Sequence, residues 1–176
     1  MTAGMSSHQN TKMKNDEWLT PPEIIKVLGQ FDLDPCSPIK RPWDTALNHY
    51  SVIDDGLSKK WFGRVWLNPP YGEETKKWLE LMVQHGDGIA LIFARTETKT
   101  FFKYVWPCAD ALLFLRGRLF FRYIDGSIAK NNSGAPSVLI AYGQRNSEIL
   151  MGSGLDGKFI KLTPEENQQQ QLGLFN

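Results

Sequence analysis

Short apolar runs separated by stretches of helical spacing run through the middle of the chain. Arg64-Val65-Trp66-Leu67 reads as a short strand, broken by Pro69-Pro70. Gly88 to Ala94 encloses the continuous run Ile89-Ala90-Leu91-Ile92-Phe93, the pattern of a strand buried on both faces, as in a parallel sheet. Ala111 to Leu115 and Ser137 to Tyr142 repeat it, and Gly117 to Tyr123 reads as a further strand. Thr75 to Gln84 carries Trp78, Leu79, Leu81 and Met82 at helical spacing, and Thr98 to Val105 reads as a second helix. Nearer the start, Thr20-Pro21-Pro22-Glu23 has the form of an N-cap, a proline in the first turn and an acid at N3. It predicts a helix through Ile24, Ile25, Val27 and Leu28, ended by Gly29. Phe31-Asp32-Leu33-Asp34 predicts a short strand stopped by Pro35. Residues 36–60 read as loop, with a strand or short helix within Ala46 to Val52. Strands alternating with helices predict an α/β sheet covered on both faces. Ligands of such sheets gather at the carboxyl ends of the strands, so the residues after each strand deserve the closest inspection.

The ends lack this patterning. Residues 1–15 are polar and aperiodic and predict a flexible arm, and residues 163–176, with Gln168 to Gln171, predict a low-complexity tail. One domain over residues 16–162 is expected from a length of 176. An apolar fraction of 41% with six Trp excludes a disordered chain. Cys36 and Cys108 have neither disulfide-framework nor zinc spacing, and His8, His49 and His85 show no metal spacing, so no metal is expected. No run reaches the ~20 apolar residues of a membrane span. Met1 to Asn15 has no hydrophobic signal core, so a cytoplasmic location is expected. The net charge of +1 says nothing about a polyanionic partner, but its distribution does. Seven basic residues stand against three acidic ones between Arg95 and Lys130.

The sharpest chemical signal is Asn68-Pro69-Pro70-Tyr71, directly after a strand. A side-chain amide oxygen and the Pro69 carbonyl, stiffened by two prolines, present two acceptors to one small region, and proline has no N–H to compete. An exocyclic amino group such as adenine N6 needs two such acceptors. Holding both its hydrogens localises the nitrogen lone pair toward an electrophile. The Tyr71 ring offers a face on which an extruded base can stack. A plain Pro-Pro turn ending the strand is the bland alternative.

This motif resembles the catalytic motif of S-adenosylmethionine-dependent amino-methyltransferases. Around it stand Asp16-Glu17-Trp18-Leu19-Thr20-Pro21, Phe31-Asp32-Leu33-Asp34-Pro35-Cys36, and Asp55-Gly56-Leu57 with Trp61. Ala94-Arg95-Thr96-Glu97-Thr98 and Leu115-Arg116-Gly117-Arg118-Leu119-Phe120 follow it. The order, over roughly residues 16–143, is similar to the small phage and prophage DNA N6-adenine methyltransferases of the Dam type. The resemblance implies a single-domain Rossmann-like methyltransferase sheet with helices on both faces. It implies S-adenosyl-L-methionine as cofactor and double-stranded DNA as partner, with no obligate protein partner. Methyl transfer to adenine N6 would proceed in line, after base flipping, without a covalent enzyme intermediate.

Under this resemblance Asn68, Pro69, Pro70 and Tyr71 are catalytic. Asp34, Pro35 and Cys36 lie near the methionine part of the cofactor, Thr20 and Pro21 face its carboxylate, and Trp18 closes one side. Asp54 and Asp55 are candidates for its ribose or adenine, with Asp44 as an alternative. The glycine-rich turn common after such an acid is missing: Pro35-Cys36-Ser37-Pro38 stands there, and the next glycine is Gly56. Arg95, Arg116, Arg118, Arg122 and Lys130 are candidate DNA contacts, with aromatics interleaved from Arg116 to Tyr123. Asp125 to Ala135 is a candidate DNA-reading loop. The competing readings are methylation of a protein glutamine or an RNA base, since planar amides suit the same motif, and a non-catalytic nucleic-acid-binding relic, which the missing glycine turn would favour.

Overall fold

Seven strands form one mixed sheet in the computed structural model, which describes residues 18–162; the arm and tail expected at the ends lie outside the described residues. In chain order the elements are α1 (Pro22–Leu28), β1 (Leu33–Asp34), β2 (Asn48–His49), β3 (Val65–Leu67), α2 (Thr75–His85), β4 (Gly88–Phe93), α3 (Lys99–Tyr104), β5 (Ala111–Leu115), β6 (Ser137–Tyr142), α4 (Gln144–Gly152) and β7 (Gly157–Lys161). The strands lie in the order β2-β1-β3-β4-β6-β5-β7. β2, β1, β3 and β4 are mutually parallel. β6 runs antiparallel to both β4 and β5, so β5 points the same way as β4, and β7 is antiparallel to β5.

Alternating side chains along the strands divide the core into two halves. On one face Val65, Leu67, Ala90, Ile92, Leu112, Val138 and Ile140 pack with Trp78, Leu79 and Met82 of α2 and Phe101 and Tyr104 of α3. On the other, Trp66, Ile89, Leu91, Leu113, Leu139 and Ala141 pack with Ile24 and Leu28 of α1 and Leu150 of α4. The helices therefore cover both faces, as the strand–helix alternation predicts. The apolar run of β4 is explained by burial on both sides, although one of its two neighbours is antiparallel. No helix among the described residues is long and apolar enough to cross a membrane.

Three expectations need correction. Gly117 to Tyr123 is not a strand: Gly117 turns the backbone with φ +75°, and isolated bridges from Arg122 to Leu19 and Ile128, with single bonds such as Ala129 N–H to the Phe121 carbonyl, hold the segment. Thr20 does not cap α1, because Pro21 holds the N-cap position in an extended conformation and no side chain caps the helix. Ser137 to Tyr142, read as the last strand, is followed by α4 and a further strand, β7. Helix α4 buries Asn146 and Ser147 together with Leu150, so its inward face carries no apolar periodicity to read.

At the amino edge of the sheet a buried network joins three elements. Arg64, just before β3, donates from Nε to Asn146 Oδ1 (2.6 Å) and from Nη1 to the carbonyls of Leu28 (2.9 Å) and Gln30 (3.0 Å). Its guanidinium lies 4.0 Å from the Phe31 ring centre. Asn146 Nδ2 donates to Asp87 Oδ1 and the Tyr142 carbonyl, both at 2.7 Å. Asn146→Ala leaves the buried guanidinium short of an acceptor and should cost about 3 kcal/mol in chemical denaturation. Because the network lies at the opposite edge from the groups described next, ligand binding at the carboxyl edge should be unaffected.

Candidate active site

The chain passes from β1 to β2 on one side and later enters β3 on the other, so the loops leaving β1 and β3 diverge. A cavity of about 330 Å³ opens at this switch point, beyond the carboxyl ends of the two strands. Its lining brings together Asn68, Pro69, Pro70 and Tyr71 after β3, Asp34, Pro35 and Cys36 at the end of β1, and Trp18, Thr20 and Asp55. Of the residues expected here, Pro21 and Asp54 are absent from the lining.

Asn68 has a defined orientation. Its Nδ2 donates to the Trp18 carbonyl at 3.4 Å, a group that can only accept, so Oδ1 must point the other way. The Tyr71 hydroxyl lies 3.5 Å from that Oδ1. The Asn68 carbonyl accepts from Cys36 Sγ (3.2 Å), which ties the two loops together across the switch point. The Pro70 carbonyl accepts from Thr75 Oγ1 (2.8 Å) at the start of α2, and no hydrogen bond among the described residues engages the Pro69 carbonyl. Burial, followed by the nearby Asp34 charge, pushes the Cys36 thiol well above its ordinary range, so it is a poor nucleophile and a poor base.

Asp34 is buried and lies next to these groups. It accepts from the Thr45 hydroxyl and from the Cys36 backbone N–H (3.1 Å). Burial raises its pKa to about 6, although both hydrogen bonds and Arg41 oppose the rise. Thr20 is 2% exposed, and its hydroxyl oxygen has no hydrogen-bond partner in the structure. A buried carboxylate and an orphaned hydroxyl on one cavity wall suit a ligand that carries both a cation and a hydrogen-bonding anion.

The glycine missing after β1 is supplied from further along the chain. A Cβ on Gly56 would lie 1.9 Å from the Pro35 carbonyl oxygen, so the two loops meet only because residue 56 has no side chain. The adjoining Asp55 takes the left-handed conformation (φ 52°) and lines the cavity. Asp54 is otherwise occupied: its Oδ2 accepts from the Ser51 N–H and hydroxyl, each at 2.8 Å. Asp44 pairs with Arg41 at 3.0 Å. Thr45, which positions Asp34, and Gly56 were the contributors least visible in the sequence. Asp55-Gly56 marks a turn, but nothing local shows that it meets residue 35.

The basic residues lie along the same edge. β3, β4 and β5 point one way, so Arg95 after β4 and Arg116 after β5 emerge on the side of Asn68. The loop from Arg116 returns to the cavity, where Leu19 and Arg122 exchange two backbone hydrogen bonds of 2.9 Å and Trp18 packs on Tyr123. A second, more open groove here is lined by Pro21, Arg116, Arg118, Arg122 and the exposed Phe120 and Ile128. Arg116 pairs with Asp156 (3.0 Å), and Arg122 pairs with Glu23 (3.3 Å), with its side chain only 22% exposed. Arg95, Arg118 and Lys130 are exposed and make no ion pair among the described residues.

A family model described as DNA N-6-adenine-methyltransferase (Dam) matches residues 7–153. No curated protein matches the chain, and no solved structure does.

The sign of the Asp34 effect is fixed by its raised pKa. Between the ordinary value of 3.8 and about 6 the folded protein holds a proton that the unfolded chain has released. Stability therefore falls as pH rises through this window, by on the order of 3 kcal/mol once the carboxylate is ionised. Asp34→Asn should remove that loss. In denaturation without ligand, the variant is expected to be more stable than the parent above about pH 6, with the gap closing toward about pH 4.

Proposed function

The chain belongs to the DNA N-6-adenine-methyltransferase (Dam) family, whose model spans well over half of it, and from that premise we propose that it transfers a methyl group from S-adenosylmethionine to N6 of an adenine extruded from double-stranded DNA. The observation that carries the proposal is one cavity at the switch point holding both halves of the chemistry. On one side are the oriented Asn68 amide oxygen and Tyr71, and on the other the buried Asp34 and the partnerless Thr20 hydroxyl. When bound, S-adenosylmethionine supplies an electrophilic methyl group on a sulfonium sulfur.

The fold assignment that goes with this reading is a Rossmann-like methyltransferase sheet. Its strand order reverses at β1, where nucleotide-bearing ligands bind in doubly wound folds. The residues fit the cofactor. Asp34 accepts from the ammonium of the methionine part, and that cation draws the carboxyl back toward its ionised form. Thr20 donates its hydroxyl to the carboxylate. Asp55, which lines the cavity with its carboxylate free of hydrogen bonds among the described residues, accepts from the ribose hydroxyls; Asp54 is held by Ser51 and does not.

On the substrate side, Asn68 Oδ1 and the Pro69 carbonyl accept the two N6 hydrogens, which directs the nitrogen lone pair at the methyl carbon. Tyr71 stacks on the base, and Pro70 keeps the turn rigid. No side chain is needed as a nucleophile, and the high Cys36 pKa suits that. Positioning and electrostatics supply the acceleration. Arg95, Arg118 and Lys130 contact phosphates along the shared edge, while Arg116 and Arg122 also brace the loop through Asp156 and Glu23.

Asn68→Ala removes the oriented acceptor and spares the cofactor wall. Transfer of labelled methyl to DNA should fall by orders of magnitude, with calorimetric affinity for S-adenosylmethionine little changed. Near-parental transfer by this variant contradicts the assignment. Arg118→Ala should weaken binding to target and non-target duplexes alike and lower the salt slope of log affinity by about one. An unchanged slope would make Arg118 a solvated surface residue.

A further inference from the structure

Tyr71 does not stand alone at the cavity. Its ring stacks on Phe93 with centroids 4.0 Å apart and planes 13° from parallel. At that spacing, near the ~3.5–4.0 Å optimum between carbon atoms, nothing fits between the two rings. Phe121 meets Tyr71 edge-on at 6.2 Å. Tyr71 lines the cavity, whereas the half-buried Phe93 stacked on it is not part of the cavity lining. Phe93 is also firmly seated. It ends the central strand β4 opposite Ser137 of β6, and the next residue, Ala94, donates its N–H to the Pro136 carbonyl at 2.8 Å.

We propose that Phe93 is a positioning residue for the target base, acting through Tyr71. Stacked on β4, it fixes the plane of Tyr71 and leaves the opposite face of that ring for the extruded adenine, giving a stack of Phe93, Tyr71 and base. The Tyr71 hydroxyl lies 3.5 Å from Asn68 Oδ1, so the same support sets the stacking face and the N6 acceptor relative to each other. An aromatic ring backed by a second ring on a central strand keeps its orientation before the base arrives, and such preorganisation lowers the cost of ordering the complex. The inference rests on the reading of the protein as a DNA adenine methyltransferase and adds a residue that lies outside the Asn68–Tyr71 motif.

The test uses the full chain, saturating S-adenosylmethionine for kinetics, and a duplex carrying at the target position a fluorescent adenine analogue quenched by stacking. In the parent complex the analogue should be quenched. Phe93→Leu should brighten it and lower kcat/KM for DNA by roughly 3- to 10-fold, the range expected for one aromatic pair, while cofactor affinity stays at the parental value. Phe93→Tyr should restore both. In a Tyr71→Leu background, Phe93→Leu should change emission no further, because the ring it acts through is gone. Parental emission in Phe93→Leu overturns the proposal. So does an equal effect in the Tyr71→Leu background, or a loss of cofactor affinity that Phe93→Tyr does not repair. If Phe93→Leu does not fold, Phe93→Met, whose flexible unbranched chain fills irregular space without a ring, decides by the same readouts. A parent protein that transfers no methyl group to adenine in DNA overturns the functional reading itself, whereas parental transfer with an inert Phe93 overturns only the role of Phe93.

Discussion

The site depends on the reversal of strand order at β1. With β2 on one side of it and β3 on the other, the loops that leave β1 and β3 must part, and the space between them is the cavity. The common direction of β1, β3, β4 and β5 does the rest. It brings Asp34, Asn68, Phe93 with Arg95, and Arg116 to one edge, although these residues are spread over more than 80 positions of sequence. The buried Asp34, the Asn68–Tyr71 turn and a basic margin are thereby placed side by side.

Both edges of the sheet bury polar groups, and at each edge a polar atom is left without a partner among the described residues. At the amino edge Arg64 is buried, but three acceptors and the Phe31 face surround it, and Asn146 passes the network on to Asp87. At the carboxyl edge Asp34 accepts two hydrogen bonds, yet burial still raises its pKa to about 6, and the Thr20 hydroxyl has no partner among the described residues. Asp55 adds a left-handed backbone at the cavity wall. Polar groups short of partners and strained backbone at a cavity wall are what a binding site keeps in reserve for its ligand.

Aromatic packing links the sheet to the acceptor turn. Tyr71 is held by Phe93 from β4 and Phe121 from the loop after β5, while Trp18 packs on Tyr123 and its carbonyl orients Asn68. Segments from before β1, from β4 and from beyond β5 thus converge on the four residues that follow β3. The loop after β5 is ordered by its bridge to Leu19 rather than by joining the sheet, and its arginines divide into braces and free charges accordingly.

Much of this was legible in the sequence because it is local chemistry. Apolar runs of strand length, helical spacing in Thr75 to Gln84, and a two-proline turn after a strand depend only on neighbours along the chain, and they located the elements and the Asn68–Tyr71 turn. The same holds for Asp34 at the end of the first strand, with Pro35 to stop it. Helix α4 escaped because its buried face carries Asn146 and Ser147, and the partners that Asn146 finds in Arg64 and Asp87 lie far away in sequence. Thr20 read as a cap because its position before Pro21-Pro22 allows one, but the backbone puts the residue in the cavity wall, with its hydroxyl buried and capping no helix. Only the tertiary structure could separate Asp55 from Asp54, since the difference lies in which carboxylate Ser51 captures, or show that Gly56 serves the loop after β1 by admitting the Pro35 carbonyl. Residue types and short spacings encode what a segment can form. Which side chains share a cavity, and which polar groups in it go without partners, is decided by the order of strands in the sheet, because contacts between segments tens of residues apart leave no periodic trace in either one.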